Sequence, residues 1–478
     1  MLRSLFIIPD NASNLIHHYE GQKVEFRGIV TEEPDVRVDK VYYVVKTSSA
    51  FVIPTEAAAE WRNPSNVGTV TQALRDSSTP PATVGAGSAR NDKAKNTKME
   101  QVVTGRVLVN YQLYPQFSYG DEVKVFCKLQ KPKINDDDTF RYDKYLAKQN
   151  IWVFCTNAQI TRLDEGKGNI IFASILKFKN LIAHQLEKLW QEPENSFMAG
   201  ILYGSKAGLP QKLMDNFSKT GVTHIIAVSG SNISIIAVNL MAVCIAIGLY
   251  RRKAFWVMVA LIILFVIFTG ASASVVRAGI MGIIALIAER IGRSSRMTNV
   301  LVATAAIMTL QNPYVLVWDA GFQLSFLATI GLVYISPILK KYVEKIKLPE
   351  WKIVEVTMEN LVTTLSAIIA TLPLILYQFG RLSTVAPLVN ILILWTIPYL
   401  MLFGFLALIT SFIYFPLGQL LAGVAKFGMD YILWIVNFFG SQSWSAVNVS
   451  IPLWSMVIMY IVMYICLVKL SNKKKYAA

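Results

Sequence analysis

The stretch HIIAVSGSNISIIA, residues 224–237, sets Ser229, Gly230, Ser231 and Asn232 in the middle of an otherwise apolar run. In a soluble core these residues would be a minor feature of a buried helix. At membrane depth they are costly unless they face protein or water, so the same stretch becomes a candidate site. The surrounding sequence decides between the two. The stretch lies within a first apolar run, 223–250, and eight more follow at 254–269, 274–288, 299–310, 321–339, 361–378, 385–412, 417–439 and 453–470.

Composition agrees with a membrane reading. The chain is 54% hydrophobic and 16% charged, with a mean hydropathy of +0.43, above the balance of a soluble globular protein. Nothing before about Gly200 offers the roughly 18 uncharged apolar residues that a spanning helix needs. An apolar patch at residues 5–8 is broken by Pro9 and is too short for a signal-peptide core or an anchor. The expected fold is therefore a polytopic α-helical membrane protein of about nine spans, some broken or re-entrant, preceded by a soluble region.

That region reads as strand at 24–30, 41–51, 102–109, 122–129 and 151–160, rich in Val, Ile, Phe and Tyr and separated by turn residues. Five short strands in this length suggest a small all-β barrel of the OB type. Residues 57–98 have few large apolar side chains and read as a flexible insertion. Two helices follow. Residues 170–189 carry apolar positions at helical spacing with Lys177, Lys179 and Lys188 between them. At 210–219, Leu209, Leu213, Met214 and Phe217 form one apolar face, suited to the membrane interface.

Charge orients the molecule. Up to Asn195 there are 25 Lys and Arg against 23 Asp and Glu, so 13 of the +15 net charge falls after it. Basic clusters RRK, ERIGRSSR, KKYVEKIK and KKK follow spans one, three, five and nine. Loops after spans two, four, six and eight hold a single Arg. The positive-inside rule then puts the odd-span ends and the C-terminus in the cytoplasm and the OB-like domain outside it. The same rule accounts for most of the basicity, which by itself establishes no nucleic-acid partner. Of four cysteines, Cys127 and Cys155 fall in the OB-like domain, where a disulfide and two free thiols are the alternatives. The four histidines form no HxH or HExxH pattern, and no Cys/His zinc spacing exists, so neither a metal centre nor a cofactor is expected.

Four polar clusters lie in the apolar part. In the first, Gly230 would relax a helix so that freed N–H groups with Ser229, Ser231 and Asn232 line a polar path, attractive to an anion such as phosphate; close helix packing is the alternative. A serine hydrolase built on Ser229 and His224 is disfavoured, because AVSGS is not GxSxG and His224 is off the helical face of Ser229. In the second, TGASASVVRAGIMG, the Arg277 charge must snorkel, meet an anionic ligand or find a carboxylate such as Asp319. In the third, WDAGFQLSFLATIG, Gln323 and Ser325 enter a span behind Asp319, which could instead cap the helix. In the fourth, LYQFGRLSTVAPLVN, Gln378, Arg381 and Asn390 surround a break that is either re-entrant or an outer loop.

Taken in order, these four stretches resemble the competence domain of the ComEC family, the inner-membrane DNA-uptake channel of natural transformation. The resemblance extends through FMAGILYGSKAGLPQKLMDNFSKTGVTHIIAVSGSN, and EFRGIVTEEPDVR and FRYDKYLAKQNIWV are similar to the ends of the family's extracellular OB-like domain. It divides the chain into an N-terminal segment (1–21), the OB-like domain (22–165), amphipathic interfacial helices (166–222), a transmembrane channel domain (223–470) and a basic cytoplasmic tail (471–478). Three departures stand out. The anchor helices that commonly precede the OB-like domain are not visible, and neither is the metallo-β-lactamase-type domain that many members carry, so no enzymatic activity is expected. Asn232 stands where relatives commonly have His.

What the resemblance implies is a channel passing single-stranded DNA to the cytoplasm. Ser229 to Asn232, Arg277, Gln323, Ser325, Gln378, Arg381 and Asn390 would line the phosphate path, with His224 and Asp319 supporting. Tyr42, Tyr43, Arg106, Tyr111 and Tyr114 are candidate DNA contacts on the OB-like domain, since such folds join a basic groove to aromatic stacking. The chain has no GxxxxGK[ST] site, so a separate cytoplasmic ATPase or DNA-binding protein is expected, along with an extracytoplasmic DNA receptor; homodimerisation stays open. The alternative function is a transporter or flippase for a smaller anionic substrate.

Overall fold

The computed structural model describes residues 16–36, 40–52, 103–132, 142–205, 207–226, 230, 232–233, 235, 248, 251–292, 296–345 and 352–472. The expected insertion at 57–98, Ser229, Ser231 and most of the first expected span lie outside these residues. The chain divides into two compact units, one of Met1–Lys133 with Gln149–Ala173 and one of Ile134–Lys148 with Ser174–Ala478.

The first unit is a β-barrel-like region. Its strands are β1 (Lys23–Val30), β2 (Asp35–Val36), β3 (Val41–Val52), β4 (Gly105–Tyr111), β5 (Glu122–Gln130) and β6 (Ile151–Asp164). The five longer strands coincide with the five expected from the sequence. Strand β1 pairs with both β3 and β5, and the order β1-β5-β6-β4-β3 closes on itself. All pairings in that ring are antiparallel except β4 with β6. Alternation builds the interior, because successive side chains point to opposite faces. Val24 and Phe26, Val41, Tyr43 and Val45, Val107 and Val109, and Val123 and Val125 are all buried. The β1–β3 register shifts at Arg27/Gly28, where a Cβ on Gly28 would meet the Lys46 carbonyl oxygen at 2.4 Å. Only glycine admits that approach, and the bulge bends β1 so that it serves two neighbours.

The second unit is mostly helical. After α1 (Tyr142–Ala147) come α2 (Ile170–Leu189, within this unit from Ser174), α3 (Glu194–Tyr203), α4 (Gln211–Lys219), α5 (Thr223–Ile226), α6 (Arg251–Phe268), α7 (Ala273–Ile291), α8 (Met297–Gln311) and α9 (Tyr314–Trp318). Helix α10 (Ala320–Val343) is continuous through a π-helical turn at Gly331–Ile335. Then follow α11 (Lys352–Phe379), strand β7 (Arg381–Ser383), α12 (Ala386–Leu394), α13 (Ile397–Ile413), α14 (Phe415–Gly440), strand β8 (Ala446–Asn448) and α15 (Leu453–Asn472).

This is the architecture of a membrane protein. Among the described residues four helical segments are long and apolar enough to span, Ala320–Val343, Met358–Phe379, Phe415–Gly440 and Leu453–Leu470, and α12 with α13, meeting at 45°, would make a fifth. Lys253–Phe268 and Met297–Gln311 are apolar but shorter. Helix α7 has spanning length but carries Arg277, Glu289 and Arg290.

The apolar face that suited helix α4 to the membrane interface packs on protein. Leu209, Leu213 and Phe217 are buried in the same cluster as Met429, Ile432 and Val436 of α14. Asn216 also donates to the Asn437 side chain at 2.9 Å. The apolar face of α4 is thus covered by protein, where burying a Leu or Phe contributes about 1.5–3 kcal/mol. Helix α2 is divided: Ile182 and Leu186 are buried, whereas Ile170, Ile171, Phe178 and Leu181 stay exposed. Gln185 donates to the Ser411 carbonyl at 3.2 Å and Trp190 to the Ala422 carbonyl at 3.0 Å, fixing the end of α2 to α13 and α14.

Candidate functional site

Three of the four polar clusters meet at Arg277. It lies one turn into α7, and its side chain is buried among α7, α10 and the opening motif. One guanidinium nitrogen, Nη1, donates to the Thr329 hydroxyl at 2.5 Å and lies 3.9 Å from the Met281 sulfur. The guanidinium carbon sits 5.8 Å from the centroid of the Phe326 ring. On the remaining side is Gly230, where an added Cβ would come within 3.3 Å of Nη2. The glycine therefore gives the guanidinium room. Arg277 Nε is buried without a hydrogen-bond partner, and no carboxylate pairs with Arg277 among the described residues. Held by a hydroxyl, a thioether and a ring face, the guanidinium keeps at least the Nε donor unused and has no opposite charge beside it among the described residues.

Asp319 is not the counter-ion of Arg277, contrary to one expectation. Its carboxylate pairs with Lys148 at 2.5 Å and accepts from the Phe322 N–H at 3.1 Å, so it caps α10, as the other reading held. Lys148 is drawn in from the short segment Ile134–Lys148, whose last carbonyl also accepts from Asn312 at 3.0 Å. Gln323 and Gln378 do come together: the Gln378 amide donates to Gln323 Oε1 at 2.6 Å, while Gln323 donates to the carbonyls of Leu316 and Val317. Ser325 offers its carbonyl to the Thr329 hydroxyl at 2.9 Å, which orients the group that holds Arg277. Asn232 is buried and donates to the Ile201 carbonyl at 3.1 Å, tying the opening motif to α3. Asn390 is buried in α12 with its Oδ1 unpartnered. His224 lies in α5, beside the Gly221 backbone.

Arg381 sits apart from this cluster. The break around it is a short two-stranded ladder, in which Arg381 of β7 is opposite Asn448 of β8. Its Nη1 pairs with Asp215 Oδ1 of α4 at 3.0 Å, and Lys219 pairs with the other oxygen at 2.8 Å. Lys219 and then Arg381 hold the Asp215 carboxyl below its ordinary range.

On the barrel, the five expected contacts separate. Tyr43 is interior: its hydroxyl accepts from the Phe117 N–H at 3.3 Å, and burial pushes its phenol above the usual range. It is not a surface contact, because adjacent strand residues face opposite ways and Tyr42 takes the outer face. Tyr111 packs edge-on against Phe117 at 5.8 Å, and Arg106 is ion-paired with Glu32 at 2.9 Å. Tyr114 is 77% exposed. Tyr42 stacks on Phe154 at 6.4 Å, and Trp152, two residues before Phe154, also points outward. Cys127 and Cys155 are joined by a disulfide, with Cα atoms 5.9 Å apart, inside the barrel.

Sequence reasoning missed Thr329, Lys148, Asp215, Trp152 and Phe154. The last two carried a signal, since the alternation Ile151, Trp152, Val153, Phe154, Cys155 already sets both aromatics on the face away from the core. Thr329 carried none, because a helical threonine ordinarily satisfies itself on its own backbone.

A family model described as Competence protein matches residues 201–473. ComE operon protein 3 of Bacillus subtilis (strain 168) is 27% identical over 255 residues, which are 53% of this chain and 31% of that protein. The chain thus matches about a third of the length of this curated relative. No solved structure matches the chain.

Proposed function

Because the chain belongs to the competence protein family, of ComEC type, we propose that it takes part in DNA uptake for transformation, as a channel that passes a single strand across the membrane. The observation that carries this reading is the buried Arg277 guanidinium, built from three separate polar motifs and lacking a carboxylate partner among the described residues. A backbone phosphate supplies the missing charge and oxygen acceptors, and a planar forked donor suits it. Gln323, Gln378, Asn232 and Asn390, with Ser229, Ser231 and Ser325, extend the polar lining in this reading.

The barrel is proposed to be of OB type and to face outward. Five strands closing in the order described fit such a barrel, and its disulfide is at home in an oxidising compartment. The outward aromatics Tyr42, Phe154, Trp152 and Tyr114 would stack on bases delivered by an extracytoplasmic receptor. Moving each phosphate charge inward against the potential costs about 2.3 kcal/mol per 100 mV. The work is assigned to a separate cytoplasmic ATPase or a DNA-binding protein that traps the strand. The chain's own role is then passage without catalysis.

The test is internalisation of labelled DNA by a strain lacking this gene, with and without the full chain restored. Uptake should vanish in the deletion and return on complementation. Undiminished uptake in the deletion strain would sink the reading, and loss of a small anionic solute's transport in its place would favour a solute transporter.

A further inference from the structure

The Arg381 cluster borders an open cleft of about 220 Å³, lined by Lys219, Arg381, Ser441, Gln442, Ser443 and Asn448 among others. The lining is unusual for its position. Loops on this side of the expected topology hold a single arginine, which is Arg381 itself, so the positive-inside rule does not explain it. The fold brings Lys219 beside it from the last turn of α4. Both cations contact one group: Lys219 takes Oδ2 of Asp215 at 2.8 Å and Arg381 takes Oδ1 at 3.0 Å. Two positive charges thus share one negative charge. Arg381, with five donors, and Lys219, with three, each keep donors beyond that bond.

We infer that this cleft is a phosphodiester-binding site at the mouth of the proposed path, with the Asp215 carboxylate as its internal placeholder. A carboxylate bridging two cations has one negative charge shared by two oxygens, the same charge and donor demand as a backbone phosphodiester. An arriving phosphate competes with Asp215 for Lys219 and Arg381 and meets the Ser443 hydroxyl in the same lining, with the Asn448 amide oxygen already on Arg381 Nε at 3.5 Å and the Gln442 amide on the Phe438 carbonyl at 3.3 Å. The residual positive charge favours that exchange. The inference rests on the DNA-uptake reading for its substrate, and it adds a site of first contact distinct from Arg277.

The experiment uses the full chain in phosphatidylcholine nanodiscs and a fluorescein-labelled abasic single-stranded oligomer, with binding read by anisotropy over a range of salt. Lys219→Gln and Arg381→Gln should each weaken binding about threefold to tenfold, a modest loss because the groups are partly exposed. Each should also flatten the slope of log K against log salt by about 0.7, the value for one phosphate contact on a single strand. Ser443→Glu, which adds a negative charge to the same lining, should weaken binding as well. Asp215→Asn should tighten it, a result that misfolding does not mimic. Weaker or unchanged binding in Asp215→Asn, or an unaltered salt slope in both cation variants, overturns the proposal. So does loss of oligomer binding when phosphatidylglycerol replaces part of the lipid and Lys219→Gln relieves that competition, since the cleft would then hold a headgroup. Transformation separates the two readings. Cleft variants that bind weakly in a chain whose deletion leaves uptake intact keep the cleft and remove the channel. Cleft variants that bind normally in a chain whose deletion abolishes uptake remove the cleft alone.

Discussion

Two arginines, one in each unit, have nearly the same aromatic support and opposite electrostatic finish. Arg162 on the barrel lies 5.6 Å from the Phe117 centroid and pairs with Asp121 at 3.1 Å and Glu165 at 2.7 Å. Arg277 lies 5.8 Å from the Phe326 centroid and has the Thr329 hydroxyl and the Met281 sulfur in place of carboxylates. The barrel completes its cation from its own residues. Among the described residues the helical unit supplies its cation with no carboxylate, where desolvation makes that expensive. A charge completed internally serves stability; in the proposed reading, the one left open waits for a phosphate.

The comparison breaks if the two arginines respond alike to substitution. Arg277→Ala should lower transformation about 100-fold, the order expected for losing a charge-assisted hydrogen bond of up to ~3 kcal/mol, with the protein still in the membrane at normal level. Arg277→Lys keeps the charge without the fork and should recover part of it. Arg162→Ala should do the reverse. It takes the cation from the Asp121 carboxylate, which is only 6% exposed and keeps the Ser118 N–H at 2.8 Å, and should cost about 1–2 kcal/mol of stability, seen as faster proteolysis, while uptake per folded molecule stays constant. Equal loss of uptake from both alanine variants would erase the distinction.

A smaller effect should come from the space left by Gly230. Its added Cβ meets Arg277 Nη2 at 3.3 Å, so Gly230→Ala requires the guanidinium to give by a few tenths of an ångström. Transformation should fall by a few-fold, of order 1 kcal/mol, and a paired Thr329→Ser, which keeps the hydroxyl, should leave it nearly unchanged. A full loss in Thr329→Ser would assign the site to packing.

The smallest effect sharpens the contrast at a third ionic group. Asp215 has a folded pKa below its unfolded value of ~3.9, so its contribution to stability is complete above that value and is lost as pH falls through the folded pKa. Wild type should therefore melt slightly above Asp215→Asn at neutral pH, with the gap closing below about pH 4. A gap that persists into acid would show that the carboxylate's charge is not what ties α4 to β7.

How much was legible follows the range of the interactions. The strands and α2 were readable because alternation and helical spacing are set by residues two to four apart. The Arg277 environment was half readable: a lone charge in an apolar run announces itself, but its fit against Gly230 and Thr329 does not. The pairing of Asp319 with Lys148 spans 171 residues and that of Arg381 with Asp215 spans 166, and neither partner carries a local mark. Tyr43 was misplaced for a different reason: hydrophobic and aromatic character alike suit a core or a stacking surface, and only the register with Val41 and Val45 decides.

The sequence alone determined the membrane class, the strands of the N-terminal region and the polar stretches to watch, because hydropathy and periodicity are local properties of the chain; of the nine spans expected, four or five have the length and apolarity to cross among the described residues. The tertiary structure decided which charges pair with one another and which, among the described residues, have no opposite charge beside them. Ion pairing depends on which distant segments the fold brings within about 3 Å of one another, and no local pattern encodes that.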